Sequence, residues 1–260
     1  MKFKTAARST GKAPGTRMSV AAAMAALEKA GSAQTRKTYA RHGAPEPMFG
    51  VSFATLKTLV KKIRVDHELA LELWKTGNFD ARLLAVKVAD PARMTPAELD
   101  RWAGGLTPRL CHSYVAQLAS EGPHARDRAD AWLASDKLVQ RCSGWMLVSA
   151  MAMTSKTTES AWFKDHLKTI QKTIHTVPNE ERESMNYALI AIGCRDAALQ
   201  KLALAAAAKI GPVDVDHGDT ACKTPDAAAY ITKSWAHSES KGFASPAVQE
   251  QSREPMRTRC

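Results

Sequence analysis

The chain is 260 residues long, with 37 basic against 26 acidic residues and a formal net charge of +11. That length buries a sizeable core unaided, and five scattered cysteines, odd in number and without a C-x-x-C pair, exclude a disulfide framework and favour a reduced, cytoplasmic chain. No run of about 18 apolar residues is present to span a bilayer, and the N-terminus lacks the apolar core of a secretory signal.

Residues 1–17 hold Lys2, Lys4, Arg8, Lys12 and Arg17 and no acid. A flexible basic arm is expected there. A loose nucleic-acid-binding arm and an Arg-rich transit leader share that composition. Without these five cations the charge is still +6. Such a surface suits a phosphate-rich partner, although many soluble proteins carry it too.

From residue 18 onward apolar residues recur at helical spacing, and no run alternates as a strand does. Helices are predicted near 18–30, 33–42, 53–64, 67–76, 79–89, 96–104, 108–120, 124–134, 137–152, 159–175, 180–194, 197–210 and 225–237. Thr95-Pro96, Thr107-Pro108 and Thr224-Pro225 each set a capping hydroxyl before a proline at the first helical position, and Glu98 completes a capping box with Thr95. Gly77, Gly104-Gly105 and Gly122-Pro123 mark stops. The alanine-rich stretch 201–211 is too short to cross a membrane and reads as a buried helix.

Many short helices joined tightly predict an all-α chain whose antiparallel helix pairs stack into an α-solenoid. A period of ~35–45 residues is that of HEAT-type arrays. A compact irregular helical domain is the alternative. Residues 18–237 form the repeat domain on this reading, and 238–260, rich in Ser, Glu, Pro and Arg, form a loose tail.

Several residue groups carry candidate chemistry. Lys57, Lys61, Lys62 and Arg64 lie on or beside one helical face; this is either a solvated face or, along a groove, a phosphate-contacting stripe. Cys111 and His112 are adjacent in a helix and point about 100° apart, so they cannot act as nucleophile and base for one another. Arg141 and Trp145 share a face four residues apart: the indole is core with the arginine lying over it, or the two together grip nucleic acid. Asp214, Asp216, His217, Asp219 and Cys222 crowd one loop, but paired ligand spacing from two segments is missing. An Asx-rich turn held by Asp219 or Thr220 is the favoured reading over a metal site, and no cofactor is expected. No P-loop, GxGxxG, HExxH or nucleophile elbow occurs.

The passages 39–63 and 69–90 carry Tyr39, Phe49-Gly50-Val51, Leu73-Trp74 and Asp80-Ala81-Arg82, followed later by Trp132, Ser135 and Arg141. In order and spacing these resemble the DNA alkylation repair family of HEAT-like-repeat glycosylases over roughly residues 35–210. The resemblance implies a concave, basic, all-helical surface that cradles duplex DNA, with Arg141 as a DNA-gripping arginine and Tyr187 standing at a family tryptophan. Catalytic members excise cationic alkylated purines beside an aspartate, whose charge stabilises an oxocarbenium-like sugar. The corresponding stretch here is Pro108-Arg109-Leu110-Cys111-His112, with His112 in the aspartate's place. No Asp or Glu lies between Asp100 and Glu121.

A histidine, neutral or positive, does not attract an oxocarbenium ion. The expectation is therefore a divergent member that binds duplex DNA (damaged, bent or branched) as a monomer, through Arg141, Lys57, Lys61 and Arg109. Glycosylase activity is in doubt; if retained, it would use a site rebuilt around Arg141, Tyr187 and His112. An α-solenoid scaffold for protein partners is the competing class.

Overall fold

The computed structural model describes residues 17–105 and 112–259. Its helices are α1 (Val20–Ala30), α2 (Ala33–Arg41), α3 (Phe53–Ile63), α4 (His67–Lys75), α5 (Phe79–Val88), α6 (Pro96–Ala103), α7 (His112–Ser120), α8 (Ala125–Leu133), α9 (Leu138–Thr154), α10 (Ser160–Thr173), α11 (Asn179–Gly193), α12 (Ala197–Ile210), α13 (Ala227–Ser240) and α14 (Pro246–Gln251). Local chemistry sets the starts. Ser19, Ser32, Ser52, Asp66, Asn78, Thr95, Asp196, Asp226 and Ser245 each accept a first-turn N–H through the side chain, a cap worth about 1 kcal/mol apiece. Thr95 and Glu98 close the expected capping box. At α13 the cap is Asp226 rather than Thr224, because Thr224 is engaged with the His217 ring. Thr107-Pro108, and residues 1–16 of the arm, lie outside the described residues.

Helices α5, α7, α9 and α11 pack side by side as an inner row, with α13 beside α11, while α4, α6, α8, α10 and α12 form an outer row. This is the antiparallel-pair solenoid expected from the sequence. The two rows differ in burial. Nine of the ten residues of α5 are buried, whereas α10 buries chiefly Trp162, Phe163, Leu167 and Ile170 along one stripe. Helix α12, expected to be buried, belongs to the outer row: Leu199, Ala203 and Ala206 face inward, and Leu202 is exposed.

The inner helices all end at one edge, and the C-terminal segment closes that edge. Ala247 N donates to Cys194 O after α11. Gln251 donates to Met153 O in α9. Arg257, only 3% exposed, reaches Val86 O and Lys87 O at the end of α5 and Glu121 after α7. Residues 238–259 are therefore a packed strap, not the loose tail expected from their composition. The polar side chains that suggested solvent instead satisfy helix-end carbonyls, which have no intrahelical partner.

Candidate nucleic-acid interface

The opposite edge gathers the N-termini of the inner helices, and there the motif residues meet. Asp80, in the first turn of α5, is fully buried, and its carboxylate accepts the backbone N–H groups of Phe49 (2.7 Å), Gly50 (3.0 Å) and Val51 (2.7 Å). Gly50 is required at that turn. Its φ is +78°, and a Cβ would lie 2.6 Å from Ser32 O. The spacing of Phe49-Gly50-Val51 and Asp80 thus encodes a buried anion held by three amides and a helix N-terminus.

Arg82, two residues further along α5, donates to Gly105 O (2.9 Å) and lies 5.0 Å over the Trp74 ring. Trp74 stacks on Trp102 with centroids 4.3 Å apart and planes 6° from parallel. Gly105 allows this: a Cβ there would come within 2.6 Å of Trp74. Trp132 is core, its indole N–H donating to Asp100 (2.7 Å), which Arg128 also holds.

Arg141 sits in the first turn of α9. Its Nε donates to Glu181 (2.9 Å), and its Nη1 donates to the carbonyls of Ser135 and Asp136 (both 3.0 Å). Trp145 is core, 3% exposed, and its indole N–H points at the other Glu181 oxygen (3.4 Å). Arg141 therefore does not simply snorkel. It is clamped at three points, 24% of its side chain remains accessible, and Nη2 has no hydrogen bond to a described residue. Glu181 was not singled out from sequence. The signal was present, because an arginine and a tryptophan on one helical face at four-residue spacing need a shared acceptor once buried.

Lys57 is half-buried and Lys61 exposed on α3, separated from α9 by α5 and α7; neither forms an ion pair with a described residue. Arg109 and the side chain of His112 lie outside the described residues, and His112 opens α7. Tyr187 is 39% exposed on α11. Burial pushes its phenol up, reinforced by Glu183, Cys222 and Tyr230. Burial likewise raises the Cys142 thiol to about 12, which removes it as a nucleophile.

In the polar loop, Asp216 Oδ1 accepts the Gly218 N–H, and Thr220 bridges His217 O and the Cys222 N–H. Asn179 exchanges two hydrogen bonds with the Asp216 backbone, tying the loop to the start of α11. The Asx turn with Thr220 as its brace is the geometry expected. No described helix is long and apolar enough to cross a membrane.

A model of the family described as DNA alkylation repair enzyme matches residues 23–231. Uncharacterised proteins from Listeria monocytogenes and Listeria innocua are 30% and 29% identical over 205 residues, each alignment covering 76% of this chain and 89% of the relative. A solved structure superimposes with a TM-score of 0.77 at 31% identity, covering 87% of this chain and 96% of the other. It is described as a new family of proteins related to the HEAT-like repeat DNA glycosylases with affinity for branched DNA structures.

Proposed function

The chain belongs to the DNA alkylation repair enzyme family, and on that premise we propose that it grips DNA backbone along the N-terminal edge of its inner helices, without excising bases. The observation that carries this reading is the clamped guanidinium of Arg141. Glu181 and two carbonyls hold it at an edge where several helix N-termini point the same way. Helix N-termini and a pre-positioned arginine both favour phosphate oxygens. The arginine is ordered before DNA arrives, so little side-chain entropy is lost on binding.

The same geometry argues against excision. Glu181 is the carboxylate beside Arg141, yet it is 4% exposed and both oxygens already face donors. It cannot stabilise a sugar cation without breaking the clamp. His112, at the family aspartate's place, supplies no negative charge. The affinity of the superimposed relative for branched DNA makes branched structures the preferred substrate shape to test.

The test is equilibrium binding of the full chain to duplex and four-way-junction DNA across a salt series, with base release from alkylated duplex measured in parallel. Affinity should fall linearly on logarithmic axes, with about 0.9 of slope per phosphate contact. Arg141→Gln, which can still donate to Glu181, should reduce both slope and affinity while helicity stays unchanged, and no 7-methylguanine or 3-methyladenine should be released. A flat salt response would favour a protein-binding scaffold instead, and base release would restore the enzyme reading.

A further inference from the structure

Two parts of the chain far apart in sequence face one another across an opening of 370 Å³. Arg41 and His42, at the end of α2, line one side, and Thr220, Ala221 and Cys222, in the loop before α13, line the other. Arg41 and Lys223 are exposed and form no ion pair with a described residue. Beside this opening stand Tyr187 at 39% and Tyr230 at 52% exposure, the only exposed aromatic side chains among the described residues. Asn186, beside Tyr187, donates to Pro225 O, His217 lies 3.8 Å from Glu183, and α13, which carries Tyr230, packs on α11, so the loop and both rings share one neighbourhood. Every described tryptophan, by contrast, is spent in the core.

Exposed tyrosine rings offer apolar faces on which a planar ligand can stack. Faces next to unpaired cations are the combination that holds single-stranded nucleic acid: rings stack on bases while cations follow the backbone. An intact duplex hides its base faces in the stack, but a branch point exposes them. We propose that Tyr187 and Tyr230, with Arg41 and His42 across the opening, hold unstacked nucleobases at the branch point of a DNA junction. This rests on the DNA-binding reading above, and it assigns shape preference to side chains other than the clamped Arg141.

The experiment compares the full chain with Tyr230→Ala, Tyr230→Phe and Arg41→Ala on duplex and four-way-junction DNA at one salt concentration. 2-Aminopurine at the branch point reports stacking, and peptide mapping follows alkylation of Cys222, whose thiol is exposed where those of Cys142 and Cys194 are buried. Tyr230→Ala should weaken junction binding roughly tenfold, as expected for losing one base–aromatic stack. Duplex affinity should stay within about twofold, and Tyr230→Phe, which keeps the ring, should behave like the parent. Junction DNA should change 2-aminopurine emission with the parent but not with Tyr230→Ala, and should shield Cys222 from alkylation where duplex does not. Unchanged junction affinity in Tyr230→Ala, or equal loss on duplex and junction, overturns the site while leaving the backbone grip standing. A parent chain that binds neither DNA overturns the function itself and the site with it.

Discussion

Asp80 shows how much one residue can carry in this protein. Its carboxylate is fully buried yet answered by three backbone amides, so it ties the turn at 49–51 to the start of α5. Removing it leaves three buried N–H groups unpaired, each of which would otherwise contribute about 1–2 kcal/mol. Asp80→Ala should therefore destabilise the fold by about 4 kcal/mol, read as a lower urea midpoint, and Asp80→Asn by clearly less because one oxygen acceptor survives. Glu181 follows the opposite logic: its importance is to aim Arg141, and its negative charge is consumed in doing so. The motif letters Phe-Gly-Val and Asp-x-Arg were legible along the chain. That the aspartate binds the glycine's own turn was not, since the two are 30 residues apart and only packing joins them.

At the scale of the element, α10 makes the pH behaviour specific. His166 sits edge-on to Trp162 (centroids 4.2 Å) and Trp145 (5.6 Å), and its Nε2 is buried without a hydrogen-bond partner among the described residues. Burial lowers its pKa from 6.5 to about 4; Asp130 opposes this, Arg126 adds a lesser push downward, and Asp165 a still smaller pull upward. A histidine whose folded pKa is depressed takes up its proton more readily in the unfolded chain. Stability is thus fully present above about pH 6.5 and is lost as pH falls towards 4, by up to about 3 kcal/mol. Denaturation midpoints at pH 7 and pH 5 should differ, and His166→Leu should flatten that difference; an unchanged slope in the variant would assign the acid sensitivity elsewhere. Helix positions themselves were well anticipated, because serine, threonine, asparagine and aspartate caps announce starts locally. Helix α14 escaped notice since six residues carry no periodicity.

For the whole molecule, the strap matters most. In a solenoid each repeat touches only its neighbours, but residues 245–259 bind the ends of α11, α9, α7 and α5 in turn. Arg257 is the deepest anchor, and Lys87, 1% exposed, donates back to the Arg257 carbonyl (2.7 Å) while its ammonium lies 4.3 Å over the Tyr114 ring. Arg257→Ala would strand Glu121 and two helix-end carbonyls, costing about 3 kcal/mol. Unfolding should also become less cooperative, visible as non-coincident fluorescence and circular-dichroism transitions. Coincident transitions at the parent midpoint would mean that the strap is passive.

The sequence by itself determined the all-helical solenoid, most helix starts and the family, because capping, periodicity and motif order are local properties. Tertiary structure alone decided that residues 238–259 pack, that Glu181 clamps Arg141, and that residues 41–42 face residues 220–222. These depend on which helix ends come to share an edge. That is set by summed burial across the inner row rather than by any one segment's composition.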